Sequence, residues 1–140
     1  MMLAQKLTQE PITLKINVKD RGKMILDMND SAQFPLYYGI YEWRDVPTLK
    51  TLAAESYTIL DIGGNIGQMA LFFARLAKKV YTFEPIPEKA EHLKAQISLN
   101  HLGERVTLST YALSNSKGKV RFALPPSDNG GTGSTVIMNE

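Results

Sequence analysis

Between residues 12 and 28 apolar and polar positions alternate. Ile12, Leu14, Ile16 and Val18 fall on one side, with Thr13, Lys15 and Asn17 on the other. After the polar break Asp20-Arg21-Gly22-Lys23 the alternation resumes at Met24, Leu26 and Met28. A period of two marks half-exposed strands, and a glycine-bearing break between two such runs marks a turn, so the pattern predicts an antiparallel hairpin ended by Asn29-Asp30-Ser31.

Beyond residue 44 the period changes. Asp45 to Ala54 reads as a short helix, with Asp45 as its cap and Pro47 in its first turn. Tyr57 to Ile62 is an apolar run that breaks at Gly63-Gly64-Asn65. Ile66, Met69, Ala70, Phe73 and Ala77 then recur at helical spacing, widened by Leu71, Phe72 and Leu76. That predicts a largely buried helix running to Lys78-Lys79, whose cations oppose the dipole. Val80 to Phe83 is a short buried strand. Pro87 opens another helix, with Ala90, Leu93 and Ile97 on its inner face, an end near Asn100, and Gly103 as its stop. Arg105 to Thr110 is the third core strand, followed by the loop Tyr111 to Asn115. Lys119 to Leu124 reads as a further strand, Pro125 to Gly133 as a loop, and Thr135 to Met138 as the start of a return strand. The core is therefore α/β: strand–helix–strand–helix–strand, with each link near the length of a right-handed parallel crossover. The expected sheet order is third, second, first.

Composition narrows the reading. A chain of 140 residues is one domain's worth, and a net charge of +2 with no basic block gives no case for a nucleic-acid partner or an acidic membrane surface. Cysteine is absent, which removes disulfide and thiolate chemistry. No apolar run approaches membrane-spanning length, and Gln5, Lys6 and Gln9 interrupt any signal-peptide core. The expectation is a cytoplasmic protein. His92 and His101, the only histidines, form no metal set and are expected to face solvent or cap a helix. Phe34 to Trp43 is aromatic-rich; it is expected to cap the sheet, or else to wall a pocket with Tyr41 and Glu42 as candidate pocket residues.

Candidate chemistry concentrates at Ile59 to Gly67, I-L-D-I-G-G-N-I-G. A strand, a glycine turn and a helix start follow one another there, and open α/β sheets bind ligands outside the carboxyl ends of such strands. Glycines let the backbone approach a ligand, and a helix start offers N–H groups. A dinucleotide fingerprint needs G-x-G-x-x-G. Counted from Gly63, its second and third glycines fall on Asn65 and Gln68, so it fails, and no Gly-Lys-Ser/Thr follows to make a P-loop. Glu84, closing the next strand, does not by itself separate the two cofactor types, because a nicotinamide dinucleotide also uses an acid there.

The combination D-x-G-x-x-x-G with a downstream acid looks like the S-adenosylmethionine (SAM) pocket of class I methyltransferases. Within that superfamily the chain resembles the FkbM-type family. The resemblance is carried, over roughly residues 23 to 137, by G-I-Y-E (Gly39 to Glu42), D-I-G-G-N-I-G (Asp61 to Gly67), F-E-P (Phe83 to Pro85), Leu99-Asn100, A-L-S (Ala112 to Ser114) and the glycine-serine stretch Gly130 to Ser134. It implies a Rossmann-like sheet, SAM as cofactor, and methylation of a hydroxyl on a sugar or secondary metabolite, a small-molecule acceptor. For SAM, Gly63, Gly64, Asn65 and Gly67 would serve the methionine tail. Asp61 would orient the turn or touch the tail amine. Glu84 would accept from the ribose diol, and Tyr111 and Ala112 would flank the adenine. The resemblance assigns no catalytic residue among these positions, and no metal site is expected. Leu124-Pro125-Pro126-Ser127 lacks the acid or amide and the aromatic of base-modifying enzymes.

The chain is expected to divide into a hairpin extension, residues 1–31, and a SAM-binding domain, residues 32–140. Family members continue into a K-x-D-x-E-G strand, so the domain is expected to be incomplete at its C-terminus. The first core strand would then keep an open edge through which chains could associate. The alternatives are a SAM-binding or interaction module without turnover and, further off, an NAD-type domain.

Overall fold

A computed structural model describes residues 12–119, 121–123 and 134–136. The predicted hairpin is present as β1 (Thr13–Val18) and β2 (Gly22–Asp27), paired antiparallel from Thr13↔Asp27 to Val18↔Gly22. Its alternation turns Val18, Met24 and Leu26 inward. There they share one apolar cluster with Leu36, Ile66 and Leu71. A 3-10 turn (Ser31–Gln33) and one turn of helix, α1 (Phe34–Tyr37), follow; Asp30 caps the 3-10 turn by accepting from Ala32 N–H. Helix α2 spans Val46–Ala54 with Pro47 in its first turn, and Lys50 Nζ reaches Asp20 in the hairpin turn at 3.0 Å.

The core sheet contains β3 (Thr58–Ile62), β4 (Lys79–Phe83) and β5 (Val106–Ser109), all parallel, in the order β3-β4-β5. This is the expected order. Helices α3 (Gln68–Phe73) and α4 (Pro87–Leu99) are the crossovers. One sheet face is packed: Val80 and Val106 meet Ala70, Ala74, Leu93 and Ile97. The other face presents Leu60 and Ile62, at 62% and 67% exposure, opposite Tyr81 and Phe83 in register. Among the described residues β3 is one edge strand of this sheet, as expected, and β5 is the other. Strands β6 (Arg121–Ala123) and β7 (Ser134–Val136) make a separate antiparallel pair. The predicted loop at residues 125–133, the Pro-Pro pair and the chain's first ten residues lie outside the described residues.

Three expectations need correction. Helix α3 stops at Phe73 instead of reaching Lys78-Lys79. Its last turn tightens, with Arg75 and Leu76 N–H bonding three residues back, and the Arg105 guanidinium takes the Ala74 carbonyl at 3.2 Å. Helix α4 is ended by His101, not by Gly103. His101 has φ +56°, its N–H reaches Ser98 O, and Leu102 N–H reaches Ile97 O, a Schellman end with histidine in the left-handed position. His92 does not face solvent: its Nε2 lies 2.9 Å from Ile25 O.

That last contact belongs to a larger device. Strand β2 has one edge against β1, and its other edge is closed by three side-chain amides. Asn100 accepts from Lys23 N–H at 2.9 Å and donates to Lys23 O at 2.7 Å. Gln96 does the same with Ile25, at 3.0 and 2.7 Å. Gln33 accepts from Asp27 N–H at 2.9 Å. Four residues of helix rise about 6.0 Å and two residues of strand about 6.6 Å, so positions i and i+4 of α4 match alternate residues of β2.

Candidate functional site

The carboxyl ends of β3 and β4 fix the glycine turn. Ile62 pairs with Phe83, which brings Gly63 and Glu84 side by side. Gly63 and Gly64 N–H both donate to Phe83 O at 2.9 Å, and Gly67 N–H donates to Gly64 O at 2.8 Å. Asn65 N–H donates to Glu84 Oε2 at 2.8 Å, and Ile86 N–H to Glu84 Oε1 at 2.9 Å. The turn was expected to offer its N–H groups to a ligand. Those of Gly63, Gly64, Asn65 and Gly67 are instead spent within the protein.

The glycines have different reasons to be glycine. A Cβ on Gly64 would strike Thr82 Oγ1 and Leu93, so this residue lets the turn lie on β4 and α4. Gly67 combines φ +96° with the same contact to Leu93. Gly63, at φ +85°, has open space where a Cβ would stand. It alone of the three has open space beside its backbone, although its N–H is taken by Phe83 O.

Glu84 is only 4% exposed, yet each of its oxygens has one protein donor and a further lone pair. Asp61 Oδ2 accepts from Thr82 Oγ1 at 2.9 Å. Burial holds the Asp61 carboxyl above its ordinary value, and the Thr82 hydrogen bond opposes this; Glu42 and Glu84 add to the rise. Both charged groups acting on Asp61 are therefore acids. Glu42 is exposed, with a left-handed backbone (φ +50°), and it interacts with Tyr41, Arg21 and Asp61.

Tyr41 is half-buried, and its hydroxyl accepts from Gln68 Nε2 at 3.1 Å. Burial raises its pKa first, and Glu42 adds to this. The rest of the aromatic segment does not cap the sheet: Phe34, Tyr37, Tyr38 and Trp43 are all exposed. Tyr111 and Ala112 follow β5, whose end is joined to the site by Glu84 N–H donating to Ser109 O at 3.0 Å, and both are solvent-exposed. So Asp61, the glycine turn, Glu84, Tyr41 and Glu42 come together, while Tyr111 and Ala112 stand at the rim.

Sequence reasoning missed two residues here. Gln68 is buried beside Tyr41. Arg21, read as part of a turn, is buried between the Tyr41 and Phe72 rings, 5.5 Å from each centroid. Its desolvated guanidinium has a lowered pKa, with Glu42 as the main opposing charge. An aromatic-rich segment one hairpin away was the available signal for Arg21, because buried guanidinium groups stack on rings.

The SAM-dependent methyltransferase from Agrobacterium tumefaciens superposes with a TM-score of 0.57 at 13% identity, over 76% of this chain and 34% of that one. The fold is Rossmann-like. A methyltransferase from Geobacter sulfurreducens gives a TM-score of 0.48 at 22% identity, over 58% of this chain and 46% of that one. The C-terminal domain of precorrin-6Y C5,15-methyltransferase from Rhodobacter capsulatus gives 0.42 at 20%, over 48% and 38%. The chain thus spans less than half the length of these structures. No protein-family model matches the chain, and no curated protein matches it. Among the described residues no helix is long and apolar enough to cross a membrane.

Proposed function

We propose that the chain binds SAM as part of a methyltransferase of FkbM type that methylates a hydroxyl of a sugar or secondary metabolite. The observation that carries the reading is the charge of the site. Glu42 and Glu84 both act on Asp61, beside an open glycine. Such a cluster favours a cation and disfavours a pyrophosphate. SAM bears a sulfonium and an ammonium, whereas a nicotinamide dinucleotide bears two phosphates. The second lone pairs of Glu84 suit a diol, and Gly63 leaves room for the tail. In this reading Asp61, Gly63, Gly64, Asn65, Gly67 and Glu84 hold the cofactor, Tyr111 and Ala112 flank the adenine, and Tyr41 and Glu42 line the pocket.

When bound, SAM would supply an electrophilic methyl group. The chain's part is to hold and orient, and alignment of reacting atoms is itself a large contribution to rate. Glu84 is already immobilised by two N–H donors, so it offers acceptors that need no reorganisation. The open β3 edge supports self-association as a further proposal.

The test is calorimetric titration with SAM and with NAD, on the parent chain and on Asp61→Asn. The amide keeps an acceptor for Thr82 and removes the charge. The expected result is saturable SAM binding, none for NAD, and weaker SAM binding by the variant. Binding of NAD in preference to SAM, or no loss in the variant, would sink the reading.

A further inference from the structure

We propose that Arg21, in the turn of the N-terminal hairpin, is a positioning residue of the candidate site: it fixes Tyr41 and Glu42 against α3 and so keeps Glu42 beside Asp61. The hairpin then belongs to the site and is not an extension of it.

The burial of Arg21 needs a reason. Its turn has left-handed backbone at Asp20 (φ +63°) and Gly22 (φ +91°), and Asp20 pairs with Lys50 at 3.0 Å. Arg21, between them, is 4% exposed. Its guanidinium lies 5.5 Å from the ring centroids of Tyr41 and Phe72. Nη1 donates to Lys19 O at 3.3 Å and Nη2 to Tyr41 O at 3.4 Å, while Nε is buried with no partner among the described residues. Two long bonds to carbonyls offset little of the cost of burying a cation, and an apolar side chain of like volume would pack there more favourably. What such a side chain lacks is the charge, and Glu42 is the charged group that acts most strongly on Arg21.

Tyr41 is held at its ring and its carbonyl by Arg21, and at its hydroxyl by Gln68 at 3.1 Å. Phe72 and Gln68 both belong to α3, so these contacts tie Tyr41 to the helix that follows the glycine turn. Glu42 comes next, at φ +50°, a conformation that side chains rarely adopt unless their surroundings hold it. It is exposed, and left to itself its carboxylate would turn to water. The Arg21 charge draws it inward, toward Asp61, on which Glu42 acts.

The consequence for the cofactor rests on the proposed function, whereas the placement of Glu42 beside Asp61 does not, and the experiment separates the two. The first readout is the titration of the Asp61 carboxyl by carbon NMR in the 140-residue chain. The groups that face Asp61 are Thr82, Glu42 and Glu84. Loss of a cation that merely stood nearby would raise an acid's midpoint, and loss of Glu42 lowers it. The expected result is a lower Asp61 midpoint in Arg21→Met, a fall of the same size in Glu42→Gln, and no further fall in the double variant. Arg21→Lys, which keeps the charge, stays nearer the parent than Arg21→Met. A midpoint that holds or rises in Arg21→Met, or a fall that persists in full in the Glu42→Gln background, overturns the proposal. Should neither Arg21 variant fold, Glu42→Gln decides: the Arg21 side-chain N–H resonances shift when their anion is removed, and unchanged resonances overturn the proposal. The second readout is calorimetric titration with SAM, whose affinity should fall up to about fivefold in Arg21→Met, the weight of an exposed charge contact, and no further in the double variant. The Asp61 shift in a chain that binds no SAM would refute the proposed function and leave the positioning standing. SAM binding with an unshifted Asp61 would refute the positioning alone.

Discussion

Replacing Gln96 tests whether side-chain amides on α4 hold the hairpin to the core. Gln96 is fully buried, and its amide pairs with both backbone groups of Ile25. In Gln96→Leu the volume is nearly kept, so the cavity contribution is small. What is lost is polar. Ile25 N–H loses the side-chain acceptor that holds it in the parent, at about 1–3 kcal/mol. Ile25 O loses one bond worth about 1 kcal/mol but keeps His92 Nε2 at 2.9 Å. Together the change should destabilise by about 3 kcal/mol. At this chain length a kcal/mol moves the midpoint by about 4 °C, so the melting temperature should fall by roughly 10 °C.

The control is Asn100→Leu. Asn100 makes the same two bonds to Lys23, but those bonds are exposed, and water can replace them. Its cost should stay near 1 kcal/mol or below. Urea unfolding followed by circular dichroism reads both variants. Equal losses in the two, or a loss under about 1 kcal/mol for Gln96→Leu, would refute the argument that burial of the amide pair is what matters.

Stability should depend on pH through Asp61, whose carboxyl is raised by burial. A raised acid binds its proton in the fold at pH values where the unfolded chain has lost it, so stability falls as pH rises from the ordinary Asp value through the raised one. Asp61→Asn should flatten that fall and be more stable than the parent at neutral pH; urea midpoints with the same pH slope in both would contradict this. His101→Gly should stabilise by about 0.5–1 kcal/mol, because glycine avoids the left-handed cost of ~1–2 kcal/mol and gives back ~0.5–1 kcal/mol in unfolded-chain entropy; a lower melting temperature would count against it. At the β3 edge, sedimentation equilibrium of the parent should show a mass that rises with concentration, and Leu60→Lys should remain monomeric over the same range. A parent monomeric throughout would remove the case for edge pairing.

The hairpin was legible because alternation is a direct image of a two-faced strand. The parallel order was legible because two helical crossovers permit little else. The glycine turn could be placed from Gly63-Gly64 at the end of an apolar run, and Glu84 from its position at the end of the next strand. Other features carried no such image. Gln96 belongs to the inner stripe of α4 with Leu93, Ile97 and Asn100, yet a glutamine in a helix reads as solvated. The signal that could have exposed it is two carboxamides four apart on an apolar stripe, next to a strand with a free edge. The end of α4 was misplaced because glycine is the usual left-handed residue, and here His101 takes that conformation. The aromatic segment was assigned to packing by residue type, although type alone does not say whether a ring is covered. Val80 to Phe83 was expected to be a buried strand, yet Tyr81 is 37% exposed, because the described residues cover one face of the sheet.

Glu84 links the fold to the site, and this changes how its substitution must be read. The acid was expected to serve a ligand. In the structure its two oxygens first hold Asn65 and Ile86 N–H, so one carboxylate sets the shape of the glycine turn and the start of α4. Glu84→Ala leaves both N–H groups without their acceptor, at about 1–3 kcal/mol each if they stay buried, and the turn loosens. Loss of SAM binding in that variant would therefore arise with or without a direct contact to the ribose. Amide hydrogen exchange separates the two causes. If Glu84 acts only by shaping the turn, exchange at Asn65 and Ile86 accelerates in Glu84→Ala, and SAM leaves their protection in the parent unchanged. If Glu84 also holds the ligand, its lone pairs are shared, and SAM alters protection at these two amides in the parent.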